Sequence, residues 1–330
     1  LGEIATGVDP IAKRQQQEAE TLTLWQVWQE YRRVKSNLKD KTYVQYEMYF
    51  NGELKDWKNK RIVDLTKDMI VTRHNRLLST HSPSYANTAM RILSAIYKFA
   101  KGQYEDNSGN SLFPHNPIDR LGQLKAWAKE PRRQTLIKPH QLKPLYIALQ
   151  DMKFNTGAES DHVAADYILF ILLTGLRKNE AATLTWDNVD LQEGTIHIPD
   201  TKNKEPLTLP LTDVLSAILS YRYRFRINDY VFSSRKKGYF AYPEHSLKYL
   251  VEQSKIKFTF HDLRRTFITV AESLDISSYA IKRLVNHKSG SDVTEGYIIS
   301  NHDRLRAPMQ RITDFFKVQC EINKDDINGN

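Results

Sequence analysis

The sequence predicts a mainly α-helical chain of two domains, the second carrying a small antiparallel β-sheet. Three observations predict it. The chain has 330 residues, long enough for two ordinary domains, each with its own core. Apolar residues recur with the helical period, first as Leu24, Val27, Trp28 and Tyr31 at i, i+3, i+4 and i+7. Alternation with period 2 is found in two short runs, GTIHIP and PLTLPL, separated by DTKNKE, which reads as a hairpin.

Taken in order, residues 1–20 are polar and read as a loop running into a helical linker. Thr23 is placed as the N-cap of the first patterned helix. A second helix carries Tyr43, Tyr46 and Phe50 on one face. Asp64-Leu65-Thr66 starts a third, with Ile70, His74, Leu77 and Leu78 inward. Ser82-Pro83 starts a fourth, proline suiting the first turn, with Ala89, Ile92, Leu93, Ile96 and Ala100 as its inner face. Four amphipathic helices with short connections define a helical domain over residues 21–121. Lys39, Lys41, Arg73, Arg91 and Lys98 are expected off those inner faces. Such residues are ordinarily a solvated face. The charge of the whole chain tilts the expectation towards contacts with phosphates. GQYEDNSGNSLFPHNPIDRL is rich in turn signals and closes the domain. Residues 122–135 read as an interdomain linker, with Arg132 and Arg133 available to phosphates.

The second domain is expected over 136–300. Leu142, Leu145, Tyr146 and Leu149 form one helix face after Pro139, and a longer buried helix covers about 161–174. TGLRKNE turns at Gly175 and presents Arg177 at the next helix start. The hairpin places Lys202 on a mobile tip. A helix begins at Leu215, Ile218 and Leu219, a short strand is expected at YVF, and Ser246–Ser254 and Thr259–Leu274 read as helices. Beyond 300, Leu305, Met309, Ile312 and Phe316 form a narrow apolar stripe on a segment taken as 301–319. Residues 320–330 read as a polar, disordered tail.

Composition narrows the partners. Lys and Arg number 48 against 39 Asp and Glu, a formal charge of +9, which favours a polyanion without separating nucleic acid from a membrane surface. The most apolar stretch, YILFILLTGL, is far shorter than the ~18 residues a spanning helix needs. The opening LGEIATGVDP lacks the basic-then-apolar run of a signal peptide. Cys320 is the single cysteine, so neither an internal disulfide nor a cysteine-cluster zinc site is available. A reducing cytoplasm or nucleoid is the expected location.

The chemistry concentrates between His261 and Tyr297. His261 and Arg264 share a helix face in HDLRRTF, His287 follows in LVNHK, and Tyr297 closes VTEGYI near the end of a short helical segment. Together they offer a phosphate donors, a proton shuttle and a hydroxyl nucleophile. Arg177 and Lys202 complete the set upstream. Singly, each piece has an ordinary reading: Arg177 and Glu180 as a helix-surface ion pair, His261 and Arg264 as a solvated face, Tyr297 as half-buried core, Lys202 as a hairpin lysine. Their order and spacing are what set them apart.

That order, Arg177, Lys202, His261-x-x-Arg264, His287, Tyr297, resembles the tyrosine recombinase (phage integrase) family. TGLRKNEAATLTWDNVDL, HDLRRTF and LVNHKSGSDVTEGYI match its boxes over roughly residues 135–300. The resemblance implies the tyrosine recombinase fold, with a core-binding domain ahead of a catalytic one. It implies that Tyr297 attacks a DNA phosphodiester to give a 3′-phosphotyrosine and a free 5′-hydroxyl. Arg177 and Arg264 suit neutralisation of the non-bridging oxygens, His261 suits the base, Lys202 the acid for the leaving 5′-oxygen, and His287 a brace on a non-bridging oxygen. A covalent intermediate keeps the phosphoryl group activated, so no cofactor is expected, neither ATP nor a metal. The implied partners are double-stranded DNA attachment sites, DNA-bending accessory proteins, and further copies of the chain. Those copies would form a tetramer, the resemblance implying that the C-terminal helix docks on a neighbouring copy; packing on its own domain is the ordinary alternative for its stripe.

GVDPIAKRQQQEAETLTL resembles the end of the small arm-binding domain, and the linker after it, in integrases of genomic islands and satellite phages. A preceding domain is therefore expected to be missing from the chain, which begins at Leu1. Type IB topoisomerases share similar active-site chemistry and stand as an alternative, as does a non-catalytic DNA-binding protein on the same fold.

Overall fold

Local capping signals account for three helix starts in the first of two compact units, Leu1–Arg132 and Arg133–Asn330. The computed structural model describes residues 10–106, 108–131, 133–235, 238–241, 243–287 and 302–322. In the first unit α1 (Pro10–Thr21) precedes α2 (Leu24–Val34), α3 (Asp40–Asn51), α4 (Lys67–Thr80), α5 (Pro83–Gln103) and α6 (Asp119–Gln123). Thr23 and Gln26 form a reciprocal capping box on α2. The side chains of Thr66 and Ser82 accept from Met69 N and Tyr85 N to cap α4 and α5. A single 3₁₀ turn, Ile62–Asp64, occupies the expected start of α4, so the helix proper begins three residues later.

The inner faces pack as the period requires. Leu24, Val27, Trp28, Tyr43, Phe50, Ile70, Leu77, Ala89, Ile92, Leu93, Ile96 and Ala100 are all buried. Trp28 anchors an aromatic group with Tyr31, Tyr46 and Phe50, ring centroids 4.9–5.9 Å away. Tyr49 of α3 is also buried, covered by Tyr85 of α5 at 4.7 Å.

Arg73 departs from its expected place off the inner face. Its side chain is 6% exposed, pairs with both carboxylate oxygens of Asp56, donates to the Glu53 carbonyl, and lies over the Trp57 ring at 4.1 Å. Both terminal nitrogens are engaged within the unit, so Arg73 braces α4 and does not lie on a solvated face. Lys39, Lys41, Arg91, Lys98 and Arg133 are exposed. Arg132 lies outside the described residues. Much of the expected linker packs on the first unit. Ala126 N donates to Leu121 O, the Asn87 amide donates to Ala128 O at 2.9 Å, and Arg91 pairs with Glu130 at 2.8 Å.

The second unit is built around α8. In order come α7 (Pro139–Phe154), α8 (Glu159–Thr174), α9 (Lys178–Ala182), β1 (Val189–Asp190), β2 (Thr195–Ile198), β3 (Leu207–Pro210), α10 (Asp213–Arg224), β4 (Ser233–Ser234), β5 (Gly238–Tyr239), α11 (Glu244–Ser254), α12 (Phe260–Ser273), α13 (Ser278–Leu284) and α14 (Arg306–Cys320). Every residue of α8 from Val163 to Thr174 is buried, with α7, α9, α10, α12 and α14 packed around it. Its one buried carboxylate, Asp166, is matched by Lys153 at 3.0 Å and Arg222 at 3.2 Å, as a desolvated charge requires. The three-stranded sheet runs β1-β2-β3, antiparallel, with Ile196 opposite Leu209 and both buried. The expected strand at YVF is displaced. Tyr230 forms only an isolated bridge with Thr185, Val231 N donates to Leu184 O, and the strand itself is Ser233–Ser234, paired with β5.

The C-terminal stripe is core of its own unit. Met309, Ile312 and Phe316 are fully buried against α7, α8 and α12, and Leu305 packs beside them. Polar contacts fix the helix on the same unit: Lys317 with Asp213, Arg306 with the carbonyls of Glu193 and Gly194, and Arg311 with the carbonyl of Leu274. In this structure the stripe therefore packs in cis, the ordinary one of the two readings open to it. Cys320 at its end is buried, and burial pushes its thiol up to about 12.

Candidate active site

Gly175 ends α8 in the left-handed region at φ 65°. A Cβ there would stand 2.5 Å from the Phe267 ring of α12, so the position tolerates only glycine. This close approach lets Arg264 of α12 reach across. The residue is 3% exposed, and its guanidinium donates to the Gly175 carbonyl at 2.7 Å and to the Val285 carbonyl. Burial, and then the charge of Arg177, lower its pKa to about 10, which leaves it charged at neutral pH. Arg264 thus ties α12 to the end of α8 and to the turn after α13.

Arg177 is the N-cap residue of α9. Its backbone N–H donates to Glu180 Oε2 at 3.0 Å and its guanidinium to Glu180 Oε1 at 2.8 Å. Glu180 is buried, 5% exposed, and also accepts from Lys202 N at 3.4 Å. The plain reading of Arg177 and Glu180 as a surface ion pair is therefore wrong for this chain. Burial makes Glu180 an orienting group, and only tertiary structure reveals that burial. Lys202 sits on the turn between β2 and β3 with its side chain exposed. The turn is tied down where a mobile tip was expected: Thr201 Oγ1 donates to Glu205 O, and Asn203 Nδ2 donates to Asn286 O.

His261, on the first turn of α12, is exposed; His287 follows the turn after α13, its N–H donating to Lys282 O at 2.9 Å. Desolvation holds both imidazoles below their ordinary pKa. Arg265, Arg264 and Arg177 push His261 further down, and Arg264, Arg177 and His261 do the same to His287. Arg177, His261, Arg264 and His287 thus share one electrostatic field, and the backbone of the Lys202 turn reaches Glu180 beside it. Tyr297 lies outside the described residues.

These shifts carry a pH consequence. The unfolded chain binds protons at both histidines below about 6.5, where the folded chain resists them, so the pair should lower stability as pH falls through that value. Denaturation midpoints at pH 7.5 and 5.5 should differ more for the parent protein than for a His261→Gln/His287→Gln double variant. Equal differences would remove the histidines from the effect.

Two guanidiniums, two imidazoles biased to the neutral form and a lysine on a braced turn have the charge and donors to meet a phosphoryl group, and they are set in a mostly helical unit with a small antiparallel sheet. The chain belongs to the phage integrase family, whose model matches residues 135–304. It is similar to prophage integrase IntF of Escherichia coli K12, 25% identical over 275 residues, covering 79% of this chain and 55% of that protein. It also resembles tyrosine recombinase XerA of Saccharolobus solfataricus, 29% identical over 122 residues, covering 37% and 40% of the two chains. The chain spans about half the length of the first of these relatives. Among solved structures, the Tn1549 transposon integrase in complex with a circular intermediate DNA gives a TM-score of 0.66 at 18% identity, covering 88% of this chain and 99% of that one. Lambda integrase as a dimer bound to a COC′ core site gives 0.63 at 16%, covering 81% and 96%. The shared fold is that of tyrosine recombinases.

Proposed function

We propose that the chain is a site-specific DNA recombinase that cuts and rejoins duplex DNA through a 3′-phosphotyrosine on Tyr297, integrating or excising a phage or mobile genomic island. The observation that carries this reading is the gathering of Arg177, His261, Arg264 and His287 into one field beside the Lys202 turn. A phosphodiester is anionic, and attack on it builds charge on the non-bridging oxygens. Arg177 and Arg264 are permanently charged forks, already oriented by Glu180 and by two backbone carbonyls, so they need little reorganisation to meet that charge. Tyr297 attacks phosphorus and gives its proton to His261, whose lowered pKa leaves it neutral and able to accept. Lys202 protonates the departing 5′-oxygen, and His287 donates to a non-bridging oxygen. The 5′-hydroxyl of a partner strand then reverses the reaction on a new end.

Relatives support the partners. Solved structures with this fold include a lambda integrase tetramer bound to a Holliday junction, which fits a reaction shared among four copies on paired attachment sites. Lys39, Lys41, Arg91, Lys98 and Arg133 are the exposed candidates for phosphate contact, and the site of action is the nucleoid, with DNA-bending proteins as helpers. No described helix is long and apolar enough to cross a membrane.

Arg177→Ala tests the site. Cleavage should fall by roughly 10² or more, as for loss of one oxyanion donor, while duplex binding in a gel-shift titration changes little. Cleavage at the parent rate would take Arg177 out of the chemistry.

A further inference from the structure

Asn286 occupies the left-handed region at φ 47°, in the turn that ends α13 and leads to His287. Asparagine tolerates that conformation better than most residues, and glycine would serve the backbone as well. The side chain is put to further use. Its amide donates to Thr201 Oγ1 at 3.1 Å and to the Glu205 carbonyl at 3.0 Å, while the Asn286 backbone carbonyl accepts from Asn203 Nδ2. Thr201 and Glu205 bracket the β2–β3 turn and are themselves joined through Thr201 Oγ1. Lys202 lies inside that bracket, its N–H directed at Glu180. One residue earlier, the Val285 carbonyl accepts from buried Arg264. The turn before His287 is therefore joined on one side to an arginine of the site and on the other to the loop carrying Lys202.

We propose that Asn286 is a positioning residue that latches the Lys202 turn to the His287 turn and so sets the lysine against the leaving oxygen. The inference rests on the assignment of Lys202 as the acid. In that step the tyrosine oxygen bonds to phosphorus, the P–O5′ bond breaks, and the lysine ammonium gives its proton to the 5′-oxygen as the tyrosine proton passes to His261. A misplaced lysine slows bond breaking without weakening DNA binding, since geometric errors of about 1 Å at a reacting group can cost ~10²-fold.

The test compares the full chain with Asn286→Gly, Asn203→Ala and Lys202→Ala. Glycine keeps the left-handed backbone and the carbonyl that accepts from Asn203, and removes the side-chain bonds to Thr201 and Glu205. The probe is a suicide duplex at a junction where the parent protein forms a covalent adduct, made once with an ordinary phosphodiester and once with sulfur replacing the bridging 5′-oxygen. A thiolate leaves without a proton, so loss of the acid is repaired by the sulfur substrate. Asn286→Gly is expected to bind DNA as the parent does, to cleave the oxygen substrate roughly tenfold or more slowly, and to cleave the sulfur substrate at close to the parent rate. Asn203→Ala should show the same pattern more weakly. Parent-like cleavage of the oxygen substrate by Asn286→Gly, or equal slowing on both substrates, overturns the latch. Should Lys202→Ala stay slow on the sulfur substrate, the acid assignment itself fails and the latch falls with it; rescue of Lys202→Ala alone isolates the failure to Asn286.

Discussion

Tyr297→Phe is expected to bind duplex DNA as the parent protein does and to form no covalent adduct. The change removes one oxygen and leaves the ring, so binding contacts and fold should persist while the nucleophile is lost. Arg177, His261, Arg264 and His287 are the groups proposed to meet the phosphate, and none supplies the required hydroxyl. Tyr279 is the nearest competitor in the sequence. Its hydroxyl accepts from Arg283 Nε at 3.2 Å, and the Arg283 guanidinium lies 5.5 Å from its ring centroid. Adduct formation is read on a denaturing gel and binding by gel shift. Adduct persisting on the Phe variant would move the nucleophile to another residue.

Truncation after Asn301 should unfold much of the second unit. It removes Met309, Ile312 and Phe316, each fully buried. Burial of such side chains contributes roughly 1.5–3 kcal/mol apiece, and a whole domain is stable by only about 5–15 kcal/mol. The lost ion pair of Lys317 with Asp213 is minor beside this. A milder version is Phe316→Ala, expected to cost about 3–5 kcal/mol. Chemical denaturation of the full chain and both variants measures the effect. An unchanged midpoint in the truncated chain would mean that α14 is an appendage after all, free to dock elsewhere.

Much of the helical framework is legible in the sequence because two independent signals agree, the apolar period and the cap. Thr23, Thr66 and Ser82 each stand where a period begins, and each caps its helix. Legibility ends where a distant segment decides. Arg73 sits beside His74 on α4, and only a 3₁₀ turn bearing Asp56 and Trp57 encloses it. The stripe on α14 announces that something covers it, yet its spacing is silent on whether that is its own unit or another copy. The strand near YVF moved because β4 is defined by its partner β5, not by β-propensity. In the site, Arg177, His261, Arg264 and His287 are recognisable from order and spacing. Glu180 and Asn286 are not, since one gains its role through burial and the other through a turn conformation and partners more than 80 residues away.

The central claim is that Tyr297 becomes covalently joined to a 3′-phosphate of DNA. Its most direct test is to incubate the chain, in excess chelator, with suicide duplexes from candidate attachment regions, then digest the trapped adduct and sequence both the DNA junction and the modified peptide. The account predicts an adduct on the peptide containing Tyr297, linked to a 3′-phosphate with a free 5′-hydroxyl on the other strand end, formed as well with chelator as without. A modified residue other than Tyr297, linkage to a 5′-phosphate, or an adduct that vanishes with chelator would contradict it.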